Sequence, residues 1–110
     1  MDKSAALESL AALAHDTRLE VFRLLIRAGS DGLAAGGIGE ALEVRQNTMS
    51  SHLGILTRAG LVTNTRDGRV IRYNAHYARM RELLLYLLED CCQGDEEICS
   101  PVLEALRCAC

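Results

Sequence analysis

Five cysteines, Cys91, Cys92, Cys99, Cys108 and Cys110, crowd into the last twenty residues of this 110-residue chain. Thiols that only filled a core would be scattered through it. Crowding at one end points to metal or redox chemistry. Thiolates select soft or borderline ions over oxygen-seeking ones such as calcium and magnesium. Cys91 continues a helical stripe through Met80, Leu84 and Leu87, and Cys92 lies one step round. A turn at Gly94-Asp95 lets the chain fold back, so that Cys99 reaches the pair. Three thiolates then converge on one ion. Trivalent arsenic bonds three sulfurs in a pyramid and needs no fourth ligand, and antimony(III) behaves similarly. Zinc or cadmium is the alternative, with Cys108 or Cys110 completing a tetrahedron. Cys108 and Cys110 also make a possible second site. A thiol redox sensor, or a tail of oxidisable thiols that holds nothing, completes the set of readings.

A thiol catalyst fits the pattern poorly. Cys91 and Cys92 are expected at a helix C-terminus beside Glu89 and Asp90, and both features work against a resting nucleophile. Gly36-Gly37-Ile38-Gly39 lacks the strand-to-helix context of a phosphate loop. The chain is therefore not expected to be an enzyme. His15, His52 and His76 are its three histidines. His52 falls at the edge of a buried helical arc, where packing or a phosphate contact is a plainer role than metal binding.

The elements that must position such chemistry centre on residues 38–73. A short helical segment, Ile38 to Glu43, a tight connection at Val44-Arg45, and a second helix, Gln46 to Ala59, end at Gly60. Two strand-like runs follow, Leu61 to Thr65 and Val70 to Asn74, joined at Asp67-Gly68, a strong hairpin signal. Helix, turn, helix, hairpin is the order of a winged helix-turn-helix. At about 100° per residue, Met49, Leu53 and Leu56 of the second helix share one arc. Asn47, Ser51, Gly54 and Arg58 lie opposite, and Gln46 and Thr48 occupy the first turn. In this docking mode the first residues of the recognition helix reach base edges in the major groove. Gln and Asn can bond adenine in bidentate fashion, and Ser and Thr can bond bases or phosphates. Gln46, Asn47, Thr48, Ser50, Ser51, His52 and Arg58 are thus the expected contacts on the helix. Arg66, Arg69 and Arg72 of the hairpin suit phosphate or minor-groove contact. The plainer alternative is a solvated helix face with Asn47 as its N-cap.

The segment LEVRQNTMSSHLGILTRAGLV resembles the recognition region of the ArsR/SmtB family of bacterial metal- and metalloid-responsive repressors. Upstream, LAALAHDTRLEVFRLL resembles the family's opening signature, and downstream GRVIRY resembles its wing strand. The likeness spans about Leu10 to Tyr86. Asn47 departs from it, since many members carry proline there. The resemblance implies a dimer joined through first and last helices, two recognition helices on an inverted-repeat operator, and an inducer that releases DNA. It also bears on where the inducer binds. The paired Asp and His ligands that some members carry on the last helix are absent here, and so is the cysteine pair before the recognition helix. Members with cysteines moved to the last helix respond to arsenite. The resemblance therefore favours Cys91, Cys92 and Cys99 as the inducer site, with As(III), and Sb(III) similarly, as ligand.

The expected fold class is mainly α with a small β-hairpin wing. Residues 1–92 would form the DNA-binding and dimerisation domain, and residues 93–110 a cysteine-containing tail. Net charge is −3, but it is split. From Arg45 to Arg81 there are seven Arg and one acid, Asp67; from Glu82 onward there are seven acids and one Arg, Arg107. A basic middle and an acidic end suit a localised DNA face. Aromatics make up 4%, too few for a single-strand stacking platform. No apolar run is long enough to span a bilayer, and the first residues lack the apolar core of a signal peptide, so a cytoplasmic protein is expected.

The flanking helices are read from periodicity. Ser4 to Ala14 would turn Leu7, Leu10, Ala11 and Ala14 inward. Asp16 would cap a second helix to about Ala28, with Leu19, Phe22, Leu25 and Ile26 inward. His76 to about Cys92 would form the longest helix after the wing, with Met80, Leu83, Leu84, Leu87 and Leu88 as its stripe. Ser100-Pro101 would restart a short helix to Arg107, with Ser as N-cap and Pro in the first position.

Overall fold

The computed structural model describes residues 1–89 and 96–108, apart from the side chains of Glu96, Cys99 and Cys108. In chain order the elements are α1 (Lys3–Leu13), α2 (Asp16–Ala28), a 3-10 turn (Gly29–Asp31), β1 (Leu33–Ala34), α3 (Ala35–Leu42), α4 (Gln46–Arg58), β2 (Val62–Asp67), β3 (Val70–Ala75), α5 (Tyr77–Leu88) and α6 (Glu96–Cys108). The mainly helical winged helix-turn-helix expected from the sequence is the fold observed.

Helix α1 presents a different face from the one its leucines suggest. Ala6, Ser9 and Ala12 are buried, whereas Leu7 is 56% exposed and Leu10 38%. The helix lies against α2, α4 and α5, and small side chains allow that approach. The N-cap of α2 is His15, not Asp16: its Nδ1 accepts from Thr17 N–H at 3.1 Å. Asp16 is the first helical residue, where its charge still favours the positive end of the helix. Val21, Phe22 and Leu25 face the core, and Leu19, about 60° outside that arc, is exposed.

The turn between α3 and α4 pivots on Glu43, whose backbone is left-handed at φ 56° and ψ 45°. Val44 N–H then bonds back to Gly39 O at 2.9 Å. A Cβ on Gly39 would collide with the Gln46 side-chain amide and stand 3.0 Å from Val44 O. Close packing of the two helices therefore accounts for this glycine; Gly36 and Gly37 face open space.

The sheet holds three antiparallel strands in the order β1-β3-β2. Strand β1 was not anticipated; its two residues pair with Tyr73 and Arg72. The hairpin register pairs Asp67 with Val70, so the turn residues are Gly68-Arg69, one step later than expected. Only Gly68 takes a positive φ, 66°, which glycine accommodates without strain.

Helix α5 is tied to the end of α4. His76 N–H donates to Leu61 O at 2.8 Å, and His76 Nδ1 donates to Gly60 O at 2.9 Å. Tyr77 OH donates to Ile26 O at 3.0 Å. The helix ends at Leu88, and Glu89 is extended at ψ 126°, so the helical register expected to reach Cys91 stops short of it. Leu83 alone on α5 is fully in the core; Leu84, Leu85 and Leu87 are exposed. Helix α6 starts earlier than expected and holds Pro101 within it. Ile98, Val102 and Leu106 recur every four residues, an apolar period that outweighs the one N–H a proline lacks.

The core is made by Val21, Leu25, Ile38, Met49, Leu53, Leu56, Leu61 and Val62, all essentially inaccessible. Ser9 is equally buried, and its hydroxyl has no partner among the described residues. A buried polar group left unpaired costs about 1–3 kcal/mol. Ser9→Ala should therefore raise stability by about 1 kcal/mol in chemical denaturation. A loss of stability would mean that the hydroxyl is satisfied.

Candidate nucleic-acid interface

Helix α4 is amphipathic in the sense read from sequence. Met49, Leu53 and Leu56 are buried, and Gln46, Asn47, Thr48, Ser50, Ser51 and Arg58 are exposed. Asn47 is not the N-cap. Arg45 occupies that position, with no side-chain cap bond, and Asn47 Oδ1 accepts from Thr48 N–H at 2.9 Å. The start of α4 thus lacks a side-chain cap from Arg45, while its Thr48 N–H is already bonded within the turn; the positive end of the helix still attracts phosphate. Arg45, also exposed, adds a cation there that the sequence reading did not place.

The other side chains of the first turns are held in set positions. Gln46 Nε2 donates to Ala35 O at 3.2 Å, which leaves its Oε1 available. Ser51 Oγ donates to Asn47 O at 3.4 Å. Thr48 and Ser50 stand exposed beside them. Arg58 lies twelve residues along the helix, about 18 Å from Gln46. It lines a groove with Glu8 and Arg18 rather than joining the polar group at the N-terminus. His52 is also apart: partly buried, its ring stacks beside His15, with centroids 4.6 Å apart, and faces Arg18. Arg18 and His15 were not singled out from sequence as neighbours of this helix. The Thr-Arg pair at the start of α2 was the available signal.

The wing arginines divide into two kinds. Arg66 and Arg69 are exposed at the hairpin tip. Arg72 is half-buried, and its Nη1 donates to Asp31 O at 3.1 Å. One strand step on, two residues away, Asn74 Nδ2 donates to Ser30 O at 3.0 Å. Arg72 and Asn74 therefore clasp the 3-10 turn against the base of the wing. At Nη1, Arg72 thus serves as a strut.

The proposed thiol site lies largely beyond this description. Cys91, Cys92 and Cys110 are outside the described residues, and so are the side chains of Cys99 and Cys108, whose backbones belong to α6. No helix among the described residues is long and apolar enough to cross a membrane.

A family model described as a helix-turn-helix domain matches residues 13–65. HlyU of Vibrio cholerae, named a transcriptional activator, is 26% identical over 98 residues, 87% of this chain and 88% of that protein. Its solved structure is 31% identical over 79% of this chain and 97% of that chain, with a TM-score of 0.62. An ArsR-like transcriptional regulator from Rhodococcus sp. RHA1 is 26% identical, covers 93% of both chains and gives a TM-score of 0.72. A putative arsenical resistance operon repressor, ArsR of Halobacterium salinarum, is 39% identical over 64 residues, 58% of this chain and 49% of that protein.

The two kinds of wing arginine should separate in titration of duplex DNA against salt. Arg69→Ala should lower the slope of log affinity against log salt by about 0.9, the share of one phosphate. Arg72→Ala should leave the slope unchanged and cost about 1–2 kcal/mol of stability. An altered slope in Arg72→Ala would return that side chain to the DNA face.

Proposed function

The chain belongs to the ArsR/SmtB family of winged-helix transcriptional regulators, and on that premise we propose that it is a homodimeric repressor that leaves its operator when C-terminal thiolates bind trivalent arsenic or antimony. It is a DNA-binding regulator and not an enzyme. The observation that carries the DNA half of the reading is the bare face of α4. An uncapped helix N-terminus, exposed Asn47, Thr48, Ser50 and Ser51, and the tip arginines Arg66 and Arg69 offer base-reading groups and phosphate contacts together.

The dimer rests on a different observation. Leu7 and Leu10 of α1 and Leu84, Leu85 and Leu87 of α5 are exposed on neighbouring helices. A second copy that covers them removes apolar surface from water and sets two recognition helices about a two-fold axis. Sedimentation should give about twice the 12.0 kDa of the chain. A monomer that binds operator with full affinity would sink the dimer.

Arsenic as the inducer is supported by thiol chemistry and by one relative. Five cysteines lie in the last twenty residues, and the Halobacterium relative is named for arsenical resistance. An ion held by Cys91, Cys92 and Cys99 would tie the first turns of α6 to the residues that follow α5. Leu103 and Leu106 of α6 line one groove with Met80, Leu84 and Leu88 of α5. A shift of α6 therefore acts on the helix assigned to the dimer seam, and through His76 on the end of α4. Zinc or cadmium is the second reading, since the same thiols suit a tetrahedral site.

The test is operator release, followed by fluorescence anisotropy, against arsenite, antimonite, methylarsenite, zinc and cadmium. Arsenite should release the parent protein and the Cys108→Ser, Cys110→Ser double variant, but not Cys99→Ser. Undiminished arsenite response in Cys99→Ser refutes the three-thiolate site. Release by zinc or cadmium alone moves the assignment to the second reading.

A further inference from the structure

Two imidazoles and one guanidinium meet where α4 crosses the start of α2. The His15 and His52 rings are 4.6 Å apart and tilted by 46°. Arg18 Nη1 stands 3.4 Å from His52 Nδ1. A guanidinium only donates, so His52 Nδ1 accepts, and the ring carries its proton on Nε2. His15 Nδ1 accepts from Thr17 N–H, which fixes the same tautomer there. The one basic nitrogen of each ring is thus already occupied by an N–H donor. Arg18 has little freedom to withdraw, because its Nε donates to Ala12 O at 2.6 Å.

A proton added at His52 Nδ1 turns an acceptor into a donor. It sets donor against donor and cation against cation across from Arg18. The surrounding charges do not offset this. From α2, His52 is faced by His15 and Arg18. Helix α1 brings Glu8 into a groove with Arg18 and Arg58. Helix α3 places Glu40 and Glu43 at the turn before α4, beside Arg45, and β2 carries Arg66 and Asp67 at the wing. Burial first, then His15, then Arg18 hold the His52 pKa below the ordinary 6.5.

We propose that His52 is a positioning residue of the recognition helix rather than a DNA contact, and that protonation of His52, packed between His15 and Arg18, unseats that helix, so that operator affinity falls in mild acid. The proposal rests on the reading of α4 as the DNA-recognition helix. The sign is its signature. A group whose folded-state pKa is depressed contributes stability that is complete above the unfolded value, about 6.5, and is lost as pH falls from there through the folded-state pKa. A histidine in contact with phosphate would do the reverse, since its proton adds a cation beside DNA and strengthens binding.

The experiment is operator affinity by anisotropy at fixed ionic strength, from about pH 8 to about pH 5.5, across the ordinary histidine range. It is run on the full chain, on His52→Gln and on His15→Asn. Gln keeps an acceptor for Arg18 and does not titrate, and Asn keeps the α2 N-cap. The readout is the ratio of each protein's own affinities at the two ends, so a loss at neutral pH drops out. The parent should weaken several-fold, with about tenfold as the ceiling set by one proton over about one pH unit below 6.5. His52→Gln should lose most of that dependence, and His15→Asn should move its onset to higher pH, because His15 lowers the His52 pKa. A parent affinity that is flat or rises in acid overturns the proposal, as does an undiminished fall in His52→Gln. If no duplex is bound at any pH, the reading of α4 has failed, and the cluster is judged by nitrogen NMR of the free protein. There the Nε2–H tautomer on both rings at about pH 7.5 supports the geometry, and an Nδ1–H tautomer on His52 overturns it.

Discussion

One helix has to be buried and bare at once, and the rest of the molecule follows from that constraint. Met49, Leu53 and Leu56 of α4 are at most 1% exposed, while Asn47, Ser50 and Ser51 across the helix are open to solvent. Thirteen residues form less than four turns, too short to be stable alone in water. The helix exists because Val21 and Leu25 of α2, Ile38 of α3, and Leu61 and Val62 of the wing base close over its apolar arc. A recognition surface needs small polar side chains that contribute nothing to that arc. All the stabilisation must therefore come from behind.

The supports behind α4 reach it at both ends. At its start, Gly39 lets α3 approach until the Gln46 amide bonds Ala35 O. At its finish, His76 of α5 takes the carbonyls of Gly60 and Leu61. Midway, Arg18 links the last turn of α1 to His52. The wing is aimed separately, by the bonds from Arg72 and Asn74 to the 3-10 turn. Four independent attachments fix the helix and the hairpin relative to each other. A change at α5 can reach α4 through His76 without passing through the hydrophobic core.

The phase of α4 was legible because its leucines and methionine have no competing arc. The hairpin was legible from Asp-Gly, though the turn falls one residue later, since Asp67 pairs with Val70 instead of sitting inside the loop. Helix α1 was misread for a physical reason. Ranking by hydrophobicity points Leu7 and Leu10 inward, but the space between α1 and its neighbours admits only Ala6, Ser9 and Ala12. Strand β1 left no local signal, because two residues become a strand only when Arg72 and Tyr73 arrive beside them. Arg72 looked like its neighbours Arg66 and Arg69 for the same reason: its partner, Asp31, is distant in the chain. Pro101 read as a helix start on local preference, and a four-residue apolar period extends the helix past it.

The clasp at the base of the wing also sets an order of assembly. Arg72 and Asp31 are 41 residues apart, Asn74 and Ser30 44, and Tyr77 and Ile26 51. Closing loops of that length costs chain entropy before any contact compensates, so such contacts form late. Consecutive helices, α1 with α2, α2 with α3 and α3 with α4, meet through shorter separations, and the hairpin is itself a local pairing that docks on them as a unit. A chain still being synthesised, with α4 complete and nothing beyond it yet made, has Leu33 and Ala34 without a strand partner and a core that lacks Leu61 and Val62. That half-built species, with open backbone and bare apolar side chains together, is the one most exposed to misassembly on the ribosome.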